Sequence, residues 1–412
     1  VVDKGRGRRR DGLCRKEWHA SPRISLKAQA TYLGAMPDPL RVCVIGGGIA
    51  GAELIRLSAK TSGLEITLVE PKRQIECQAL YPDYLGGLVR LEDLSAPLQP
   101  FCNRMGARLV RERAVAVNSG RVICEDEEVE CDVVVVCVGA EQNYFGIPGA
   151  EHTFSINTLE GTLKAREFIE DRSPDRIMIV GSGLTGIEAA SVLAESLDAS
   201  IYVVEMMDRL LPAFPQSTSA LVEKILYERG VNMLTGTAVK EVRPDSIVFG
   251  DGSSLDCDMA IWTTGIKPPA LVEGLDLPKE RGWILVDPYL RAKDEIFALG
   301  DCAWIRVEDK LATKTGIEAE RQAKHMADNL SRMVRHHPLV PYSVLASTDN
   351  PMALISTGCG QAVGVYGGLC VSMPSWLIHS LKSWIDKSIV KRYKCKPKRP
   401  AAEVAPAGRH SR

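Results

Sequence analysis

An α/β fold is predicted by three features of the 412-residue sequence. A short apolar strand, a G-x-G-x-x-G turn, an amphipathic helix and a second apolar strand stand in Arg41–Glu70, RVCVIGGGIAGAELIRLSAKTSGLEITLVE. The same device returns from Arg176 to Glu205, with GSGLTG in the turn. Val133–Val138 is a continuous apolar run, β-branched at every position but Cys137, the pattern of a parallel strand buried on both faces. Together they imply two Rossmann-like dinucleotide-binding domains, followed by a C-terminal amphipathic region.

Gly46, Gly48 and Gly51 each have a physical task in the first turn: a tight bend, room for a pyrophosphate, and close helix–strand contact. The helix that follows offers orphan N–H groups and partial positive charge to a diphosphate. Glu70 closes the second strand, where a carboxylate accepts a hydrogen bond from an adenosine ribose. Gly181, Gly183 and Gly186 repeat the spacing, and Glu205 follows Gly181 at the same separation as Glu70 follows Gly46. Two copies in one chain point to an enzyme that passes electrons between two dinucleotides. At Glu205 a carboxylate favours the 2′-OH of NADH over the 2′-phosphate of NADPH, and the nearest arginine is Arg209. FAD is expected in the first unit, because the segment carrying Gly300 and Asp301 returns to it. An acid at a strand end there reaches a ribityl chain, and the next helix dipole favours negative charge near the isoalloxazine. Hydride transfer needs no protein acid or base; stacking nicotinamide on flavin does most of the work.

Length and composition set outer bounds. The chain can hold two or three cores, with 45% apolar and 25% charged residues, as in ordinary globular proteins. A net charge of −1 gives no case for nucleic acid, although both ends are basic. Twelve cysteines include no C-x-x-C pair and no zinc-like cluster, so no metal is expected. Cys43, Cys131 and Cys137 sit in strand-like runs as small buried hydrophobes, which fits a reducing compartment. A disulfide reductase needs two nearby cysteines soon after the first nucleotide turn; Cys77 stands alone there. Cysteine-assisted sulfide oxidation is not expected either, since no cysteine lies between Ala140 and Asp256 and Cys359 has no evident partner. No apolar run reaches the roughly eighteen residues of a membrane span.

In chain order, residues 1–38 read as a basic disordered leader with Arg8–Arg10 as a triplet. After Glu70, helix spacing is expected over Leu91–Cys102 and a small hairpin over Ala107–Val117 and Gly120–Cys124. Asn143–Gly149 (NYFGIPG) is a loop, and Asn157–Ile169 is helical. The second unit continues with a helix at Ser219–Arg229, a strand at Val231–Leu234, hairpin segments at Ala238–Val242 and Ser246–Phe249, and a strand at Met259–Trp262. Pro268 and Pro269 mark a crossing between domains. Trp283–Val286 and Ile296–Leu299 are strand-like, Thr315–Met333 helical, Met352–Ile355 a strand, and Gly358–Gly368 glycine-rich. In Ser375–Tyr393, Leu377, Ile378, Leu381, Trp384, Ile385 and Ile389 share one arc of about 140°, with Lys382 and Asp386 at its edge. Such a helix lies in a membrane interface with Lys387 and Lys391 towards anionic headgroups, or packs on its own protein or a partner. Residues 395–412 form a basic low-complexity tail.

VIGGGIAGAE, CVGAEQNYFGIPGAEHTF, IVGSGLTGIEAASVL, WTTGIKPP and FALGDCA, spread over Pro39–Lys394, resemble the type II NADH dehydrogenases, single-subunit FAD enzymes that reduce membrane quinones. The resemblance implies that the second domain is inserted in the first. The FAD domain becomes 39–151 plus 286–344, the NADH domain 152–285, and 345–394 a membrane- or partner-facing region. It implies FAD contacts at Gly46, Gly48, Gly51, Glu70, Gly300 and Asp301, and an NADH site at Gly181, Gly183, Gly186 and Glu205. Glu188 matches the glutamate beside the nicotinamide. The family pattern T-A-Q-x-A-x-Q-Q, whose glutamines approach flavin and quinone, meets Ile317 and Arg321 here; only Gln322 is kept, as a catalytic candidate. GCGQAVGVYGG resembles the glycine-rich ends of ferroptosis-suppressor and apoptosis-inducing-factor-like reductases, which widens the choice of acceptor. The expected partners are NADH, a quinone-like or other acceptor, a membrane surface met through the C-terminal helix, and a second copy in a homodimer. The expected location is cytoplasmic, peripheral on the inner face of the cell membrane. The alternatives are a soluble NAD(P)H oxidoreductase using a ferredoxin-like protein or small oxidant, and a low-turnover flavoprotein redox sensor.

Overall fold

The computed structural model describes residues 38–371 and 373–395; all but the last residue of the expected leader and all but the first residue of the expected tail lie outside them. The first sheet has six strands in the order Arg291–Lys293, Ile296–Ala298, Val133–Val136, Leu40–Ile45, Leu64–Val69, Arg108–Val110. All neighbours are parallel except the outermost pair, Arg291–Lys293 with Ile296–Ala298. Its centre is apolar on both sides: every residue of Val133–Val136 is buried, as a strand with helices over both faces must be. The second sheet runs Phe154–Ser155, Met259–Trp262, Arg176–Val180, Ser200–Val204, Asn232–Leu234, wholly parallel. Each sheet is accompanied by a three-stranded antiparallel sheet, 114–130 in the first and 239–256 in the second, so the repeat extends beyond the glycine turns.

Strands on both sides of the inserted unit, Val133–Val136 and Ile296–Ala298, lie side by side in one sheet, so the second unit is inserted in the first. The two crossings are themselves paired: Glu141 and Gln142 form an antiparallel ladder with Lys267 and Ile266. Gln142 Nε2 adds bonds to the carbonyls of Thr264 and Gly265, each 2.7 Å. Trp262, almost fully buried, donates its indole N–H to the carbonyl of Asn143 at 3.0 Å. The loop NYFGIPG is thereby stitched to the strand end that opens the return crossing.

The helix expected over Leu91–Cys102 is divided. A short 3₁₀ turn at Leu91–Asp93 and an edge strand at Ser95–Pro97 precede the helix, which is Leu98–Met105. Pro97 fixes an extended backbone before the first turn, and Ser95–Pro97 is held against Gln74–Glu76. The long helix after the GDCA segment is Gly316–Val334, packed on the first glycine helix, Ile49–Ser58. The glycine-rich segment joins Met352–Gly358 to Gln361–Tyr366 in an antiparallel hairpin that lies on the second glycine helix, Leu184–Ser196. The C-terminal helix, Ser375–Tyr393, crosses that hairpin.

This last helix turns part of its apolar arc outward and seats Ile378 of that arc inward. Its inner face carries Ile378, Lys382, Asp386, Val390 and Tyr393, while Trp376, Leu377, Leu381 and Trp384 face outward, the two tryptophans 62% and 70% exposed. The end is fastened by polar bonds: Tyr393 donates to Glu53 at 3.1 Å, and Arg392 meets Glu320 at 2.8 Å. Arg104 reaches the carbonyls of Arg392, Tyr393 and Lys394. Charged pairs, rather than the apolar stripe, therefore decide which side faces the protein. Among the described residues no helix is long and apolar enough to cross a membrane.

Candidate functional site

The two glycine turns are built on the same plan. Gly46 and Gly181 both take φ +105°, a conformation that side chains oppose. A Cβ at Gly46 would run into the backbone carbonyl of Cys137, and one at Gly181 would lie 2.6 Å from Thr264 Cβ. Gly51 and Gly186 press their helices against the carbonyls of Gly46 and Gly181, where a Cβ would overlap. At Gly48 and Gly183, by contrast, an added Cβ would meet open space, and each helix starts there with no side-chain cap. Uncapped first-turn N–H groups beside open space are a fitting cradle for a diphosphate.

The acids at the ends of the second strands hold these turns. Glu70 accepts from the N–H of Gly47 at 2.6 Å and of Lys72 at 2.9 Å. Glu205 accepts from Ser182 N at 3.1 Å, Ser182 Oγ at 2.6 Å and Met207 N at 2.9 Å. Both carboxylates are thus fixed beside the turn. Arg209 is already committed: its guanidinium bonds Ser219 Oγ and the carbonyls of Leu211 and Pro212. It is not available to a 2′-phosphate in this arrangement.

Gly300 and Asp301 sit in a 3₁₀ turn after strand Ile296–Ala298, with Gly300 close against Ala50 at the start of the first glycine helix. They therefore join Gly46, Gly48, Gly51 and Glu70 around one end of the first sheet. Burial pushes the Asp301 carboxyl up, against the opposing charge of Lys314. Lys314 bonds the carbonyls of Asp301 and Ala303 and lies 3.8 Å above the Trp283 ring. Its ammonium is pushed down to about 8 by burial. Gln322 is buried and engaged with backbone: its Oε1 accepts from Gly300 N at 2.7 Å. Here it positions the turn. Glu318, one turn earlier, is fully buried and accepts from Tyr342 OH at 2.7 Å and from the N–H groups of Leu345 and Ala346. Ile317 is exposed, and Arg321 bonds the carbonyl of Ser343.

Glu188, buried in the second glycine helix, is held by elements distant in sequence. It accepts from Ser356 N at 3.0 Å in the C-terminal hairpin, and Lys382 Nζ of the C-terminal helix stands 3.2 Å away. Lys382 also bonds Asp386 at 2.7 Å. Burial pushes Glu188 up to about 7, against the pull of Lys382 and the Ser356 N–H. Asp386 and Asp83 are likewise raised by burial, with Lys382 opposing. For Lys382 burial works the other way, but Glu188, Asp386 and Asp83 outweigh it and hold the ammonium above its ordinary range. One cation thus serves three carboxyls drawn from both glycine units and the C-terminal helix. Sequence reasoning put Lys382 and Asp386 at a helix edge and missed this cluster. Its one local signal is a Lys-x-x-x-Asp pair flanked by Ile378 and Val390.

Residues 40–327 match the family described as pyridine nucleotide-disulphide oxidoreductase. The chain belongs to this family. It is an oxidoreductase with FAD and NADH as its cofactors, and the two glycine cradles fit them. Among similar proteins, an NADH dehydrogenase-like protein of Bacillus subtilis is 31% identical over 190 residues, 44% of this chain and 53% of that protein, about half its length. A type II NADH:quinone oxidoreductase of Staphylococcus epidermidis is 24% identical over 368 residues, 80% of this chain and 90% of its own. The solved structure of NDH2 from Plasmodium falciparum superposes with a TM-score of 0.73 at 16% identity, over 86% of this chain and 98% of that one, a likeness of fold. The dithiol in the family's name has no counterpart after the first turn: Cys77 is buried, its thiol pushed up to about 12 by burial, and every described cysteine is free.

Proposed function

We propose that the chain is an FAD-dependent NADH dehydrogenase that delivers electrons to a quinone-like, lipid-soluble acceptor. The domain reading that goes with it assigns FAD to 39–151 plus 286–344 and NADH to 152–285. The observation that carries the proposal is the C-terminal helix, which turns tryptophans outward while its inner lysine reaches Glu188 of the NADH unit. One element thus connects a lipid-seeking face with the nicotinamide side. When bound, FAD would supply the hydride-accepting and one- or two-electron-donating chemistry. The protein's part is to place and to exclude. Gly48 and Gly183 leave room for the diphosphates, Glu70 and Glu205 set the ribose ends, and Gln322 and Lys314 hold the turn that presents Asp301. Glu188 is assigned to the nicotinamide side, its carboxyl pushed up to about 7 by burial. With Ile317 and Arg321 in place of two glutamines, the acceptor's polar head meets a different surface from that of the resembled family.

Anaerobic mixing tests the reading: NADH should bleach the bound flavin quickly, and quinone in liposomes should restore its colour. Failure of bleaching would end the enzyme reading, and restoration by a soluble ferredoxin-like protein but not by quinone would favour the soluble alternative. The double variant Trp376→Ala/Trp384→Ala removes two outward-facing side chains without touching the inner face. Its affinity for liposomes should fall about tenfold or more per tryptophan. Unchanged liposome affinity would remove the membrane from the proposal.

NADH is preferred to NADPH in this reading, since the Glu205 side chain is held beside the turn by Ser182 and Arg209 is committed elsewhere. Glu205→Gln keeps an acceptor but removes the charge. The preference measured from kcat/KM should narrow by about tenfold; an unaltered ratio would move the ribose away from this residue.

A further inference from the structure

In the second sheet the strand order sorts the two halves of a dinucleotide. The glycine turn follows Arg176–Val180, which lies between Ser200–Val204 on one side and Met259–Trp262 on the other. Glu205 follows the first of these neighbours, so an adenosine on that side sends the rest of the molecule over the end of the second. That end is Thr263–Gly265, and it runs directly along the turn. Thr263 Oγ1 donates to the carbonyls of Val180 and Gly181, each at 3.0 Å, and a Cβ at Gly181 would lie 2.6 Å from Thr264 Cβ. Beside Gly265 stands Phe145, in the NYFGIPG loop. Gly265 has φ +74°, and a Cβ there would overlap the edge of the Phe145 ring, 2.3 Å from Cζ. Phe145 itself takes φ +53°, a left-handed conformation that a bulky side chain rarely adopts. Its N–H is tied to Asn143 Oδ1 at 2.8 Å. Tyr144 and Ile147 of the same loop pack on the core around Trp262, whereas Phe145 is 59% exposed. Core packing therefore does not account for the strain, and strained backbone of this kind clusters where ligands are held.

We infer that Phe145 is a binding residue for NADH, laid against the half of the dinucleotide that carries the nicotinamide. The inference rests on the assignment of NADH to the second unit and deepens it. The glycine turn and Glu205 serve the diphosphate and the adenosine, and the ring supplies an apolar contact for the other half. Its place in the chain fits that task. Glu141 and Gln142 pair with Lys267 and Ile266 at the crossing between the units, so a ligand half over Thr263–Gly265 lies where the second unit meets the first. Asn143 is the positioning residue, since its side chain fixes the backbone from which the ring projects. An aromatic ring on a backbone already fixed offers a large contact area with little ordering left to do on binding.

Isothermal titration of the flavin-loaded, full-length protein with NAD⁺ and with ADP separates the two halves, because ADP fills the adenosine and diphosphate positions alone. Phe145→Ala should weaken NAD⁺ by about tenfold and leave ADP within about twofold of the parent. Phe145→Tyr keeps the ring and should keep most of the affinity for NAD⁺. Phe145→Gly should lose as much affinity as Phe145→Ala yet melt no lower, since glycine adopts φ +53° without strain. Flavin absorbance and circular dichroism verify that each variant is folded. Equal losses for NAD⁺ and ADP in Phe145→Ala would make the ring a support of the crossing and overturn the inference. Unchanged affinity for NAD⁺ in Phe145→Ala and Phe145→Gly would overturn it as well, while leaving NADH in the second unit. A parent protein that binds neither ligand would refute that assignment itself, and the inference with it.

Discussion

Gly46→Ala is expected to yield a protein without flavin, and Gly181→Ala a yellow protein that NADH fails to bleach. Both replacements force alanine into φ +105°, where backbone strain alone costs about 1–3 kcal/mol. The obstacle at Gly46 is the carbonyl of Cys137, which is backbone and belongs to the sheet centre. Relief there must open the turn whose uncapped N–H groups are proposed to hold the diphosphate. At Gly181 the obstacle is Thr264, on the crossing between the two units. Flavin absorbance of the purified proteins and anaerobic mixing with NADH separate the two effects. For Gly181→Ala, bleaching should slow by about a hundredfold, since losing roughly 3 kcal/mol of binding is a factor of that size. A reversed pattern, with Gly181→Ala colourless and Gly46→Ala yellow, would exchange the two cofactors between the units.

These effects can be anticipated because the turns were legible before any coordinates. A strand, three glycines at fixed offsets and a closing acid are local; short-range geometry leaves them few alternatives. The structure adds that Glu70 and Glu205 grip the N–H groups of their own turns. The C-terminal helix shows the opposite case. Its limits, Ser375–Tyr393, follow from spacing, but its orientation does not, because Lys382 is drawn inward by carboxyls on Leu184–Ser196 and Tyr81–Leu85. A helical wheel counts apolar surface and cannot count a buried partner on another element. The same holds for Gln322, whose bond to Gly300 depends on how Gly316–Val334 lies against the GDCA turn. Around Leu91 the error was of another kind. Helix-like spacing was offset by Pro97 and by an edge pairing with Gln74–Glu76, and tertiary pairing prevailed over period.

Lys382→Met tests the cluster that the sequence concealed. The side chain keeps its bulk and loses its charge, leaving Glu188 with the Ser356 N–H and Asp386 without its cation. Breaking a buried pair from one side costs about 3–5 kcal/mol, because the remaining charge stays desolvated. The cost should depend on pH. Glu188 already lies at about 7 in the fold, above its ordinary value, so the native state binds more protons than the unfolded chain between those limits. Stability from this group is therefore present at low pH and declines as pH rises through 7. Removing Lys382 pushes the carboxyls higher still. The deficit of the variant should be smallest at low pH, where the carboxyls take up protons, and should grow as pH rises towards 8. There the deficit in Tm should reach the order of ten degrees, measured with flavin fluorescence as the probe of unfolding. Adding Glu188→Gln should recover much of the loss, since it removes one of the charges left stranded. A constant deficit across that pH range, or no recovery in the double variant, would mean that Lys382 contributes packing along its stem, and that the charge on Glu188 is settled by other groups.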